Sequence, residues 1–456
     1  MERILEEVNG LVWGIPALLG ILGVGVYLSI RTGFAQLSLF PKAFGAFLRT
    51  LFGKESKDEG VSPFQALCTA LAATVGTGNL AGVAGAIAIG GPGAIFWMWI
   101  SGILGMMTKF AEATLSVKFR ERNSAGEWVG GPMYMIHNGM GQRWRWLATV
   151  YAFFGVVAAF GVGNATQVNT VIGGINQAIT TFGGSETQMG NLFMGIGLAI
   201  LICGILLGGM KKIGIMAEKL VPFASVCYLL LGFGVLIVRA QYVPGVFASI
   251  FAGAFSPRAV TGGAIGSMFV GLRIGVSRGV FTNEAGMGTA GIAHAAAQVD
   301  HPCQQGLMGI MEVFLDTIVI CTMTALVILV SGVSIPYGDD VGVVLTTQAF
   351  SSVYGGWVSI LIAAALCCFA IATVLGWGLY GARCAQFLFG DGVWKRFVLL
   401  QGAAVILGAV LKTGTVWLLS ETVNGLMAVP NLVALAYFAP DLGRMLQEFR
   451  NKKCPG

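Results

Sequence analysis

The sequence predicts an all-α integral membrane protein of eleven transmembrane helices: one N-terminal helix, then a five-plus-five inverted repeat with two discontinuous helices. Three observations carry this. The 456 residues are 56% hydrophobic and 11% charged, with mean hydropathy +0.80, where a soluble domain carries about 25% charged residues. Lysine and arginine concentrate on alternate loops. Two hydrophobic stretches, 63–89 and 262–296, are interrupted by glycine in mid-span.

A helix needs about 20 apolar residues to cross the hydrocarbon core. Stretches of that kind lie near 11–30, 63–89, 93–119, 146–178, 190–208, 214–239, 262–296, 306–332, 346–386, 394–411 and 414–438. The first lacks the basic start and A-x-A end of a cleaved leader, so it reads as a retained helix. Residues 244–258, with Pro244 and Pro257, read as a short external or re-entrant helix. Spans 146–178 and 346–386 are long enough to tilt or extend beyond the bilayer. Residues 439–456 read as a cytoplasmic tail.

Charge sets the orientation. With the N-terminus outside, 20 of the 27 basic residues fall in inner segments. Only Arg3, Arg239, Arg258 and Lys412 fall outside, and Lys109, Arg273 and Arg278 lie within spans. The expectation is a multi-pass cell-membrane protein with its N-terminus outside and C-terminus cytoplasmic. Setting the first helix aside leaves ten, as 63–239 and 262–438. Five is odd, so the second set must run opposite to the first, and each set starts with an interrupted stretch. The net charge of +6 sits in short loops beside the bilayer and implies no nucleic-acid partner.

The first interruption reads Ala72-Ala73-Thr74-Val75-Gly76-Thr77-Gly78-Asn79. A broken helix releases backbone groups that lipid cannot satisfy, so protein or a cavity must. Released N–H groups at the start of the next half-helix suit a carboxylate. Released carbonyls at the end of the preceding half, here Ala72 and Val75, suit a cation, and Asn79 adds an amide. A glycine packing seam through Gly82, Gly85 and Gly90 is the competing reading. The paired interruption from Gly275 to Gly286 favours the break.

The second interruption carries Arg278, Asn283 and Glu284 in apolar surroundings. Intramembrane charge faces the protein interior or a watery path, so Arg278 and Glu284 read as a structural brace or gate. Gln167, in the amide run Asn164 to Asn169, reads as a ligand to a bound carboxylate or as an interhelical clasp. Thr373 and Trp377, four apart, share a helix face. The threonine suits an oxygen cage around Na⁺ and the tryptophan a pocket wall. The alternatives are back-bonding of Thr373 to its own helix and lipid-interface placement of Trp377. Lys109 with Glu112, and Glu312 with Asp316, read as ion-paired scaffold, with a proton relay as the alternative. The nine cysteines and the dispersed His137, His294 and His301 show no metal-ligand spacing. No serine, threonine or cysteine has a convincing base partner, so no enzyme is expected, and no cofactor beyond a coupling ion.

The run Ser277 to Gly288, followed by His294-Ala295-Ala296-Ala297, His301-Pro302 and Phe314-Leu315-Asp316-Thr317, resembles the signature of the sodium:alanine symporter family. The Thr74 to Asn79 break, the Gly163 to Asn169 run and Gly130-Gly131-Pro132-Met133-Tyr134 resemble it too. The resemblance implies a LeuT-type fold with broken first and sixth core helices. It also implies Na⁺-driven uptake of small neutral amino acids, typically alanine or glycine. Carried over, it puts substrate against Thr77, Gly78, Asn79, Gln167, Ile274, Gly275, Thr373 and Trp377. It puts Na⁺ at the carbonyls of Ala72 and Val75 and the hydroxyl of Thr373. A proton-coupled or glutamine- or serine-preferring carrier, and more remotely an ion channel, are the other expectations.

Overall fold

The computed structural model describes residues 2–52, 60–181, 183–255, 268–339, 342–411 and 414–451. Among the described residues, nine helices are long and apolar enough to cross a membrane. A tenth span is a helix pair bent by 54° at a break.

In chain order the main helices are α1 (Ile15–Arg31), the bent pair α2 (Pro63–Thr74) and α3 (Gly78–Gly90), and α4 (Gly93–Lys118). Then come α5 (Gln142–Thr180), α6 (Gln188–Leu206), α7 (Gly209–Val238) and α8 (Val243–Phe255). A second interrupted pair follows, α9 (Met268–Asn283) and α10 (Thr289–His294), and then α11 (Pro302–Val330). The last are α12 (Gly342–Tyr354), α13 (Val358–Phe389), α14 (Trp394–Val410) and α15 (Gly414–Asn451). A small antiparallel hairpin, β1 (Glu121–Arg122) with β2 (Trp128–Val129), qualifies the all-α expectation.

Local sequence explains the helix starts. Ser62 and Gln65 form a reciprocal capping box ahead of Pro63, and His301 with Gln304 does the same ahead of Pro302. The outer faces of α6 and α7 expose Phe193, Ile200, Phe223, Leu230 and Ile237. An apolar face of this kind suits a lipid surrounding.

Glycine does two jobs that sequence alone does not separate. Gly271, Gly275 and Gly279 repeat every fourth residue on α9. A Cβ there would run into the carbonyl of Gly90, the carbonyl of Ala94 and the hydroxyl of Ser101. This stripe is a packing seam that lets helix backbones touch. The second break therefore comes later than the glycines at 275 and 279 suggest. Helix α9 is intact to Asn283, and the chain turns through Glu284, Gly286 and Gly288, all with positive φ.

Other boundaries shift as well. The predicted span 346–386 is two helices, α12 and α13, separated at Gly355 with φ +81°. Both flanks are apolar, so hydropathy reads through the turn. Span 146–178 stays one helical run but contains a wide π-helical turn over Gly161–Ala165. The external helix expected at 244–258 is α8, close enough to α4 that a Cβ on Gly93 would overlap the Gly253 backbone. The C-terminal segment, expected as a cytoplasmic tail, is helical to Asn451 and buries Leu442, Leu446 and Phe449; residues 452–456 lie outside the described residues. Pro257 and residues 262–267 of the predicted seventh span lie outside the described residues.

Candidate functional site

Helix α2 ends at Val75, which is extended (φ −77°, ψ 99°). Helical continuation would aim the Gly76 N–H at the carbonyl of Ala72. It donates instead to Asn79 Oδ1 at 2.8 Å, so Ala72 keeps a carbonyl without its helical donor. Thr373 of α13 lies directly against this point: a Cβ on Gly76 would stand 2.8 Å from its Oγ1. The hydroxyl donates to the Phe369 carbonyl (3.0 Å), which uses its proton and keeps its lone pairs. Thr77 Oγ1 donates to Gln167 Oε1 (3.1 Å), and Gln167 Nε2 donates to the carbonyl of Val162 (3.2 Å). Asn79 Nδ2 donates to Asp316 Oδ1 on α11 at 2.6 Å.

A cavity of about 620 Å³ opens beside the break. Thr77, Gly78 and Ala81 form one wall, and Asn169, Gly173 and Gly174 of α5 another. Arg278 and Phe281 of α9, Thr347 of α12 and Leu366 of α13 complete it. Three wide helical turns surround the region, at Gly78–Gly82, Gly161–Ala165 and Phe314–Cys321, and they carry Asn79, Asn164 and Asp316. Such turns recur at functional sites because they release and re-aim backbone groups.

The predicted residues therefore divide. Thr77, Gly78 and Arg278 line the cavity. Gln167 stands behind it, one hydrogen bond from Thr77, while Ala72, Val75, Asn79 and Thr373 gather at the break. Ile274, Gly275 and Trp377 lie elsewhere. Gly275 belongs to the seam against α4, and Ile274 packs on Gly90. Arg278 and Phe281, one and two turns further along the same stripe, reach the cavity in their place. Trp377 is fully buried one turn beyond Thr373, where its indole N–H donates to Glu284 Oε1 (3.0 Å). Its polar edge has found a carboxylate, so it braces rather than walls the cavity.

The second break is filled by protein. Glu112 Oε1 on α4 accepts the N–H groups of Gly286 (2.9 Å) and Gly288 (3.0 Å) and the amide of Asn431 (2.7 Å). Glu284 accepts from Trp377 and from Thr289 Oγ1 (2.6 Å). Nearby, Lys109 Nζ meets Glu312 Oε1 at 2.9 Å, His294 Nε2 meets Glu312 Oε2 at 3.0 Å, and Gln305 holds His294 Nδ1 at 2.6 Å. Buried ions persist only when paired and hydrogen-bonded, so this cluster reads as scaffold. The amides also divide. Asn164 clasps Gln401 of α14 and Asn169 donates to the carbonyl of Leu411 (3.3 Å). No group of three or more His, Cys, Asp or Glu residues among those described could hold a metal ion.

Sequence reasoning did not anticipate Phe281 or Thr347. The signal for Phe281 was available, three residues beyond Arg278 on one helical stripe. Thr347 had none, because its helix was hidden in a longer apolar run.

Comparison with known proteins bears on the whole chain. The family description that matches, over residues 1–456, is the sodium:alanine symporter family. The chain is 41% identical over 441 residues to the "Sodium/alanine symporter AgcS" of Methanococcus maripaludis, covering 95% of this chain and 93% of that protein. It is 36% identical over 463 residues to the "Probable sodium/glutamine symporter GlnT" of Bacillus subtilis, covering 100% and 93%. Among solved structures it resembles MhsT, crystallised in complex with L-phenylalanine, with a TM-score of 0.58 and 15% identity. That likeness covers 86% of this chain and 99% of MhsT, and it shows a shared LeuT-type fold.

Proposed function

The chain belongs to the sodium:alanine symporter family, and from that premise we propose that it couples the Na⁺ gradient to uptake of small neutral amino acids, alanine and glycine. It is a multi-pass membrane transporter and not an enzyme. We further read it as eleven crossings with two opposed five-helix repeats, N-terminus outside, as its loop charges favour.

The observation that carries the reading is the diverted Gly76 N–H. It leaves the Ala72 carbonyl without its helical donor, at a break where the Thr373 hydroxyl lies against Gly76 and a cavity is edged by Thr77 and Gly78. Carbonyls of Ala72 and Val75 with the Thr373 hydroxyl make an all-oxygen set on two separate helices, α2 and α13. Released half-helix carbonyls of this kind suit Na⁺. A cation held by both helices favours the arrangement in which they are close. The N–H groups that start α3, at Thr77, Gly78 and Asn79, suit the amino-acid carboxylate. Gln167 orients the Thr77 hydroxyl beside them. The substrate side chain then points toward Gly173 and Phe281. Both ligands favour the same state, so the Na⁺ gradient pulls the amino acid with it.

The cavity runs from the break toward α12, the predicted outer side. Deeper along α13 the path is filled by Trp377 and Tyr380, and the Glu127–Arg383 ion pair (2.7 Å) ties the hairpin to α13. We read this as the outward-facing state. The likeness to a probable sodium/glutamine symporter supports glutamine as a second substrate reading.

Purified protein in vesicles tests the proposal. Labelled alanine uptake should collapse when choline replaces Na⁺ and should not be restored by a pH step. Thr373→Ala should raise the Na⁺ concentration for half-maximal uptake. Sodium-indifferent uptake, or unchanged sodium dependence in Thr373→Ala, would defeat the reading.

A further inference from the structure

We propose that Asp316 is a positioning residue for the cation site: it dictates which end of the Asn79 amide faces the first break, and so keeps the Ala72 carbonyl free. The inference rests on the function proposed above and deepens it. Asn79, Asp316, Thr317 and Asn283 are all fully buried, so each polar atom must find its partner within the protein. An amide has one donor end and one acceptor end, whereas a carboxylate only accepts.

Asp316 Oδ1 takes the amide N–H of Asn79 (2.6 Å), and Asp316 Oδ2 takes the hydroxyl of Thr317 (2.9 Å). With its Nδ2 committed, Asn79 turns Oδ1 toward the break, where it accepts the Gly76 N–H (2.8 Å). Turned over, the amide would set oxygen against the Asp316 carboxylate and N–H against the Gly76 N–H. Both contacts would be repulsive. The Gly76 N–H would then be released to the Ala72 carbonyl, closing the helix over the atom assigned to Na⁺.

The same carboxylate reaches the second break. Thr317 Oγ1 accepts from Asn283 Nδ2 (3.1 Å), and Asn283 Oδ1 accepts the Ala285 N–H (2.9 Å). Asp316 and its neighbour on α11 thus hold the asparagine of each break in one hydrogen-bonded chain. Asp316 acts on the cation site only through Asn79.

The test is a set of three variants in sodium-dependent alanine uptake. Asp316→Asn offers either amide end to Asn79, so orientation is no longer enforced; Na⁺ half-saturation should rise about tenfold, the scale of one buried hydrogen bond to a charged group. The Hill coefficient for Na⁺ and the alanine KM at saturating Na⁺ should stay at wild-type values. Asn79→Asp puts two carboxylates in contact and should be worse. The exchange Asn79→Asp with Asp316→Asn should rescue, because the carboxylate, moved to position 79, can accept from both the Gly76 N–H and the amide now at position 316. Size-exclusion profiles and melting temperatures identify variants that fail to fold, and the exchange keeps the test decisive if either single variant does. Wild-type Na⁺ half-saturation in Asp316→Asn, or an exchange no better than Asn79→Asp, overturns the proposal. So does a lowered Hill coefficient in Asp316→Asn, which would make Asp316 a direct ligand of a transported ion. Sodium-independent uptake by the wild type would fault the symporter reading instead.

Discussion

The two helix breaks share a construction and differ in what completes it. In each, an asparagine Oδ1 accepts a backbone N–H of the break, Gly76 to Asn79 and Ala285 to Asn283. In each, the same asparagine donates to α11, at Asp316 or at Thr317. Beyond that they diverge. The first break is bordered by a cavity and by the Thr373 hydroxyl. The second is closed by Glu112, which gathers two backbone N–H groups and the Asn431 amide, and by Glu284, which holds Trp377 and Thr289. A glycine interruption therefore says only that backbone groups are released. Whether they serve a ligand or a hinge depends on what the rest of the fold brings to them.

The largest expected effect separates the breaks by glycine replacement. Gly76→Val drives a side chain into Thr373 and should abolish uptake in protein that still folds. Gly288→Val should instead lose folded protein. Its φ is +78° and a Cβ would meet Pro132 and Asn431, while the left-handed conformation costs about 1–2 kcal/mol for an ordinary residue. Uptake per folded molecule and melting temperature, measured on both, check this; the reverse pattern would break the comparison.

A smaller effect comes from Glu112→Ala. It strands three buried donors, at about 1–3 kcal/mol each when unsatisfied. Melting temperature should fall clearly while Na⁺ half-saturation of the surviving protein stays put. A sodium shift would draw the second break into the ion site.

The smallest effect distinguishes two aromatic residues. Phe281→Ala should raise the alanine KM several-fold, because the ring lines the cavity. Trp377→Phe keeps a buried, smaller aromatic ring and loses the hydrogen bond to Glu284, about 1.5–3 kcal/mol for a charged acceptor. It should lower melting temperature and leave KM unchanged. A KM change there would return Trp377 to the pocket wall.

Much of the membrane architecture was legible in the chain, because lipid imposes a length and an apolar composition on each crossing. The first break was legible to the residue: Val75 ends one helix and Gly78 starts the next. The second was drawn too wide, from Gly275 to Gly286, and only its end at Glu284 and Gly286 turns, since a packing glycine and a hinge glycine look alike in sequence. The run 346–386 concealed a turn at Gly355 because hydropathy records composition and not direction. Lys109 with Glu112, and Glu312 with Asp316, read in sequence as ion-paired scaffold; in the structure Lys109 pairs across helices with Glu312 at 2.9 Å, while Glu112 holds the Gly286 and Gly288 N–H groups. Asp316 turned out to face Asn79 rather than Glu312, although the spacing of four set both acids on one helix.

By itself the sequence determined the class of protein, the two interruptions and the family signature around them, since these follow from local composition and contiguous motifs. The tertiary structure decided which released groups meet a cavity and which meet a carboxylate, and which end of the Asn79 amide faces Gly76. Those outcomes depend on side chains more than 200 positions away in sequence, such as Asp316 and Thr373, and a hydrogen bond has no direction until both of its partners are in place.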